Sequence, residues 1–272
     1  VSYLAERGTP CLPLPHNSGF AAAVNLGVAR TQASVVLVLN ADTVLEPGCV
    51  GSLLEALAAD SGRGGVQPRI LQLGDTARPG APEAARLYSA GQALSADGRA
   101  FELGAGEPQG AGSRQGREVF GVCGAACLLR RELFAELGGY DERYFAFYED
   151  VDLNLRAQIA GWRFAYVPEA VVWHVGNASW QAGADRPGAW NARLVARNRL
   201  ATQAKFMPLR ALPRILAVEL GALARAASQH RFRATLAGKL EGLRWLPQML
   251  RERRRLRREG DPQRARRWLG RG

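Results

Sequence analysis

Cysteine is scarce in this sequence and poorly spaced for metal or redox chemistry. Cys11, Cys49, Cys123 and Cys127 form no C-x-x-C pair, so neither a disulfide framework nor a zinc site is expected. Cys123 and Cys127 lie in an apolar run over 119–129, where a free thiol behaves as a small hydrophobe, and a reducing, cytosolic setting fits. No run of about 18 apolar residues occurs, so no helical membrane span is expected. No secretory signal is visible; without one, the acceptor pattern Asn177-Ala178-Ser179 carries little weight. No helix-turn-helix, RNA-recognition or zinc-finger pattern is present, and no nucleic-acid partner is expected. The chain also lacks a natural opening. It begins with Val rather than Met, and residues 1–8 read as the last turns of a helix ending at a Gly8 cap, which places the expected start upstream.

Acidic residues are lacking at one end. Residues 205–272 hold 18 Lys and Arg against 5 Asp and Glu, a net +13. The other 204 residues hold 18 against 20, a net −2, which together give the overall +11. The excess thus sits in the tail, where it fits either an anionic partner surface or a solvated helix face in an arginine-rich chain.

What is present is an alternation of strand and helix patterns. A short strand is expected over 11–14, an alanine-rich helix over 20–30 and a strand over 34–39. A helix opened by Pro47 should run to about 59, followed by a strand over 65–71. The 34–39 run, Ser-Val-Val-Leu-Val-Leu, does not alternate, which argues for a strand buried on both faces in a parallel sheet. This order implies an open α/β sheet with helices on both faces and ligands beyond the strands' carboxyl ends. Residues 74–117, rich in Gly, Ala and Pro, read as a long excursion with one or two short edge strands near 86–90. A strand broken by Gly121 and Gly124 is expected over 118–129, and a short helix over 131–137.

Candidate chemistry follows from position. Asp42, after the 34–39 strand, can ligate Mg²⁺ or Mn²⁺ shared with substrate phosphates; equally, it can fold its own backbone as an Asx-turn. The turn at residues 17–19 enters a helix and offers backbone N–H groups to an anion, or is an ordinary helix start. Glu149, Asp150 and Asp152 open a helix, where acids are common, and Asp152 with Arg156 has ion-pair spacing. Yet Tyr144, Phe145, Phe147 and Tyr148 would keep water from these carboxyls, and desolvation raises a carboxyl pKa toward that of a useful base. His174, ending a strand-like run, is either structural or a metal ligand partnering Asp42.

The motifs Asn17-Ser18-Gly19-Phe20…Asn25, Asn40-Ala41-Asp42, Gly121…Gly124-Ala125, Gly138-Gly139-Tyr140-Asp141-Glu142, Phe147-Tyr148-Glu149-Asp150-Val151-Asp152, Gly161-Trp162 and His174…Gly176…Ser179 stand in an order that resembles the family-2 inverting glycosyltransferases, notably the bacterial rhamnosyltransferase-like subgroup. The resemblance covers residues 1–205 and implies a GT-A fold, an open and mostly parallel sheet, followed by a basic helical tail over 206–272. It implies transfer of a sugar from a nucleotide-diphosphate donor to a glycan or lipid-linked acceptor. Asp150 matches the general base and Glu149 its acidic neighbour. Asn17, Gly19, Asn25, Asn40 and Asp42 match the donor side; Gly124, Ala125 and Tyr148 the acceptor side. Asp42 and His174 match the site of a divalent metal, Mg²⁺ or Mn²⁺, with Asn40 standing where the family often has a first Asp. The family's opening strand-helix-strand, with its Asp-rich nucleobase loop, has no counterpart here, which implies weak donor affinity for this chain or a non-catalytic remnant acting at a membrane surface.

In the tail, helices are expected over 191–206, 212–227 and 232–256, the last ending in an arginine cluster at 251–258. Arg197-Asn198 resembles a pair found after the His in these enzymes. Basic amphipathic helices bind anionic membranes, so a peripheral location at the inner face of the plasma membrane is expected.

Overall fold

A computed structural model describes residues 6–73, 79, 85–175 and 187–270. At its centre lies a seven-stranded mixed sheet. β1 (Val35–Leu39), β8 (Ala126–Arg130), β3 (Arg63–Gln72), β9 (Arg163–His174) and β2 (Thr43–Leu45) follow one another across it; β4 (Leu87–Ser89) pairs with β3, and β7 (Arg117–Val119) with β9. A hairpin of β5 (Gln92–Leu94) and β6 (Ala100–Glu102) stands apart.

The apolar run of β1 serves both faces. Val36 and Val38 pack with α1 (Gly19–Ala29), while Val35, Leu37 and Leu39 pack with the cluster around Leu53 and Leu57 of α2 (Cys49–Ala58). Helices cover both faces, as expected of an α/β architecture, but the strand directions correct the expectation of a mostly parallel sheet. β1 and β3 both run antiparallel to β8, and among the described strands only the long β3–β9 pairing is parallel. A continuous apolar run reports cover above and below the sheet; it carries no information about the direction of the neighbouring strand. Residues 11–14 form no strand: Leu12 and Leu14 are 43% and 37% exposed and find no sheet edge to join. The single strand expected over 118–129 is two, β7 and β8, in different parts of the sheet, and the turn between them carries Cys123 and Gly124.

α3 (Arg131–Leu137) ends at Gly138 and Gly139, both at a φ of 73°, a conformation glycine adopts without penalty. α4 (Glu149–Ala160) lies almost wholly inside the protein. α5 (Pro187–Phe206), α6 (Leu212–Ser228), α7 (Phe232–Glu259) and α8 (Pro262–Arg266) complete the chain. The tail folds back on the sheet domain: Phe206, Met207, Ile215, Leu256 and Ala265 share one core with Val151, Leu155 and Ile159 of α4. The pattern Gly176…Ser179 and the acceptor-like Asn177 lie outside the described residues. Among the described residues no helix is long and apolar enough to cross a membrane.

Candidate active site

The aromatic-acidic stretch turns on a loop whose backbone few sequences adopt. Phe145, Phe147 and Tyr148 have φ of 65°, 66° and 69°, each costing about 1–3 kcal/mol for a residue with a Cβ. This turn places Glu149 and Asp150 at the head of α4, against a cavity of about 440 Å³. Asn40, Asp42, Gly124, Ala125, Tyr148, Glu149, Asp150 and His174 all line it. Residues distant in sequence thus meet where the ends of β1 and β9 face the head of α4.

Asp150 is held by three donors. Its Oδ2 accepts from Gly124 N at 3.0 Å and Gln92 Nε2 at 2.8 Å, and its Oδ1 from Val151 N at 2.8 Å. Burial raises its pKa and these donors oppose the rise. Glu149 is 6% exposed, and burial and then the charge of Asp150 push its pKa well above the usual range; its Oε2 has no hydrogen-bond partner. Of the two carboxyls, Asp150 is the better supplied with donors and Glu149 the more strongly biased toward its protonated form. Asp152 plays another part. It is fully buried between Arg156 Nε and Lys205 Nζ, each at 2.7 Å. Burial raises its pKa, but the two cations outweigh burial and the net shift is downward. The expected surface ion pair with Arg156 is thus a buried one.

Sequence reasoning missed Glu102 and Gln92, which lie in the 74–117 excursion and also line the cavity. Gln92 Nε2 donates to both Glu102 Oε1, at 3.1 Å, and Asp150 Oδ2; its Oε1 accepts from Asn154 Nδ2 at 2.8 Å. Burial and then the charge of Asp150 raise Glu102 to about 7, while Ser89 and Gln92 oppose the rise. No local pattern in 85–102 marks these residues. They reach the site only because the β5–β6 hairpin folds over it.

At the opposite wall, His174 Nε2 lies 3.2 Å from both Asp42 Oδ1 and Asn40 Nδ2. Burial lowers the His174 pKa and the Asp42 charge opposes it, so the imidazole is neutral near pH 7. With Nε2 accepting from Asn40, Asp42 Oδ1 is left without a hydrogen-bond donor, as is His174 Nδ1 without a partner. A cation taking the Nε2 lone pair in place of the Asn40 amide would find the orphaned Asp42 Oδ1 beside it, and a neutral imidazole nitrogen with a carboxylate oxygen is a donor pair that fits a divalent cation. Among the described residues no group of three or more His, Cys, Asp or Glu is placed to hold a metal ion, so the remaining ligands would come from substrate phosphates and water, the usual arrangement for Mg²⁺.

Asn17, Gly19 and Asn25 sit elsewhere. Asn17 Oδ1 accepts from Gly19 N, and a Cβ on Gly19 (φ 88°) would lie 2.6 Å from Phe145 O. Gly19 therefore lets the head of α1 seat against the strained loop. Asn25 clamps Tyr140, donating to its carbonyl and accepting from its N–H, both at 2.8 Å, and lines a separate, more open cavity of about 650 Å³ beside α1 and α3.

A mixed sheet with helices on both faces thus brings Asp42, just after β1, and Asp150, at the head of α4, to the wall of one cavity. A crystal structure of GalNAc-T7 with UDP, GalNAc and Mn²⁺ superposes with a TM-score of 0.50 at 15% identity, over 75% of this chain and 41% of that one, which supports the GT-A fold. Residues 10–192 match the family model described as glycosyltransferase like family 2, and the chain belongs to that family. Its relatives include the N-acetylglucosaminyl-diphospho-decaprenol L-rhamnosyltransferase of Mycobacterium tuberculosis, 31% identical over an alignment of 183 residues that covers 60% of this chain and 57% of the relative. Rhamnosyltransferase WbbL of Escherichia coli is 31% identical over 87 residues, 30% of this chain and 33% of WbbL. The match thus spans little more than half the length of the mycobacterial relative and a third of WbbL.

Proposed function

We propose that this chain carries the reaction centre of an inverting glycosyltransferase. It would move a sugar, of which rhamnose is the first candidate, from a nucleotide-diphosphate donor to a hydroxyl of a lipid-linked or glycan acceptor. The observation that carries this reading is one cavity with Asp150 on one wall and Asp42 with His174 on the other. Asp150, ionised and steered by Gly124 and Gln92, would take the proton of the acceptor hydroxyl. The resulting nucleophile attacks the anomeric carbon from the side opposite the diphosphate and inverts it. Gly124, Ala125 and Tyr148 would bound the acceptor, and Asn40 and Asp42 the donor phosphates. Asn17, Gly19 and Asn25 would act on the donor side indirectly, by seating α1 against the loop. A divalent metal held by Asp42 and His174 would neutralise charge developing on the leaving diphosphate. Glu149, protonated, can hydrogen-bond the acceptor without competing for its proton.

The acceptor class follows the mycobacterial relative, whose name specifies a sugar on a diphospho-polyprenol. A membrane-borne acceptor suits the tail. Leu212, Leu216 and Leu220 on α6, and Leu236, Leu240 and Leu243 on α7, recur near one-turn spacing and are 37–67% exposed, with Arg214, Arg233, Arg244 and Arg251 exposed among them. Apolar side chains ringed by arginine match an anionic bilayer surface, which supports the reading of a peripheral location at the inner face of the plasma membrane. The test is Asp150→Asn assayed with a panel of nucleotide-sugars and a short-chain N-acetylglucosaminyl-diphospho-lipid. Loss of a general base lowers turnover by about 10²–10⁴ while calorimetric donor binding persists. Unchanged turnover would refute the assignment, and absence of any donor binding or turnover in the unaltered chain would favour the remnant reading.

A further inference from the structure

The loop that presents Asp150 is held from behind by one side chain that no motif role covers. We propose that Asn198 of α5, itself fixed by Arg197, is the positioning residue that keeps residues 144–148 in their left-handed course. This inference rests on the reading of Asp150 as the base.

Asn198 is completely buried. Its Nδ2 reaches the carbonyl oxygens of Tyr144 at 2.9 Å, Ala146 at 2.8 Å and Phe147 at 2.7 Å. A chain that turns through left-handed residues directs its carbonyls away from any helix or strand ladder, and a buried carbonyl without a donor is costly. The two N–H groups of the Asn198 amide are shared among three of them, and Tyr144 O also accepts from Ala146 N. The amide is oriented by Arg197, whose Nε donates to Asn198 Oδ1 at 2.9 Å. Arg197 Nη2 adds bonds to the carbonyls of Tyr144 at 3.0 Å and Arg143 at 3.2 Å. Arg197 is in turn held by the tail, its guanidinium 4.5 Å from the centre of the Trp245 ring and 3.9 Å from Glu241 Oε2. From the opposite side, Ala21 N donates to Phe145 O at 3.2 Å. The loop is gripped between α1 and α5, and the grip ends at Phe147, three residues before Asp150.

Asn198→Asp tests this with nearly unchanged shape, since a carboxylate cannot donate to three carbonyls. Gln203→Ala is the control. Gln203 is also buried, just over one turn along the same helix, but its Nε2 donates to Asp97 O and Glu219 Oε1 rather than to the loop carbonyls. Hydrogen exchange on the full chain, compared at matched global stability, should show the peptide covering 144–148 exchanging at least about tenfold faster in Asn198→Asp than in Gln203→Ala. Under the transferase assay above, Asn198→Asp should lose on the order of 100-fold in kcat with donor KM unchanged. Equal exchange in the two variants overturns the proposal, and so does faster exchange with undiminished kcat. If the unaltered chain shows no turnover, the transferase reading fails by itself and the exchange comparison still decides whether Asn198 holds the loop.

Discussion

Glu102 allows the electrostatics of the site to be weighed without knowledge of the substrate. Burial and then the charge of Asp150 raise its carboxyl from 4.5 to about 7. A carboxyl whose pKa is raised by folding binds its proton more tightly in the folded state. Its contribution to stability is therefore fully present below about 4.5 and is lost as pH rises through about 7. The shift corresponds to on the order of 3 kcal/mol, and the partial solvent access of this side chain reduces the expected figure to about 1–3 kcal/mol. Glu102→Gln has no proton to lose over this range. Urea unfolding of both proteins at fixed ionic strength, from about pH 4.5 to about pH 8, should show the stability of the native chain falling by that amount relative to the variant. Parallel curves would refute the claim that Glu102 is desolvated beside a charged Asp150. A catalytic corollary follows: Glu102→Gln should remove an ionisation near 7 from the kcat/KM profile and reduce turnover only severalfold, far less than Asp150→Asn.

Asp152 has the opposite sign. Its pKa is lowered on folding, so it stabilises above the unfolded carboxyl value and the contribution is lost as pH falls through its folded pKa; Asp152→Asn should flatten the acid limb of the stability curve. Breaking this buried cluster should cost about 3–5 kcal/mol, or about 6–15 °C in Tm, measured by calorimetry at neutral pH. At the tail, Leu216→Glu with Leu220→Glu and Leu240→Glu should abolish co-sedimentation with phosphatidylglycerol-containing vesicles and leave the Tm within about 2 °C, because all three side chains are exposed. Binding that survives these changes, or that ignores lipid charge and salt, would defeat the membrane reading.

Much of the site could be read from residue order because its walls end regular elements. Asp42 and His174 flank strand ends, and Asp150 opens a helix after an aromatic cluster; each position follows from a local pattern plus the general geometry of α/β sheets. Glu102 and Gln92 follow from no such pattern. They belong to a three-residue-strand hairpin in a Gly- and Pro-rich excursion, where periodicity is too short to measure. The direction of β1 was likewise hidden, since apolar character reports burial alone. Asp152 looked like a surface pair because i, i+4 spacing is shared by exposed and buried helices; its second cation, Lys205, lies 53 residues away. Arg197-Asn198 stood out only as a resemblance, and its partners are backbone carbonyls, which leave no trace in side-chain patterning.

The sequence also invited a domain boundary near 205, where composition turns basic, and the packing argues against a physical division there. Phe206, Met207, Ile215 and Leu256 are buried against Val151, Leu155 and Ile159 of the helix that carries Asp150. Burying a side chain of this size is worth roughly 1.5–3 kcal/mol, so these four contribute roughly 6–12 kcal/mol, comparable to the whole stability of a typical domain. Glu252 of α7 also reaches into the charge cluster, 2.9 Å from Lys205 Nζ and bonded to Arg143. A chain ending at 205 would leave Lys205 with less compensation and expose one side of α4. It should therefore fail to unfold cooperatively and should lose its near-ultraviolet circular dichroism, while residues 1–272 retain both. A 1–205 chain with a sharp, two-state transition of similar midpoint would show that the tail is an appendage. The packing instead makes it part of the wall behind Asp150, so α7, one of the two helices proposed to meet a membrane, also braces Arg197 and, through it, Asn198 and the loop ahead of Asp150.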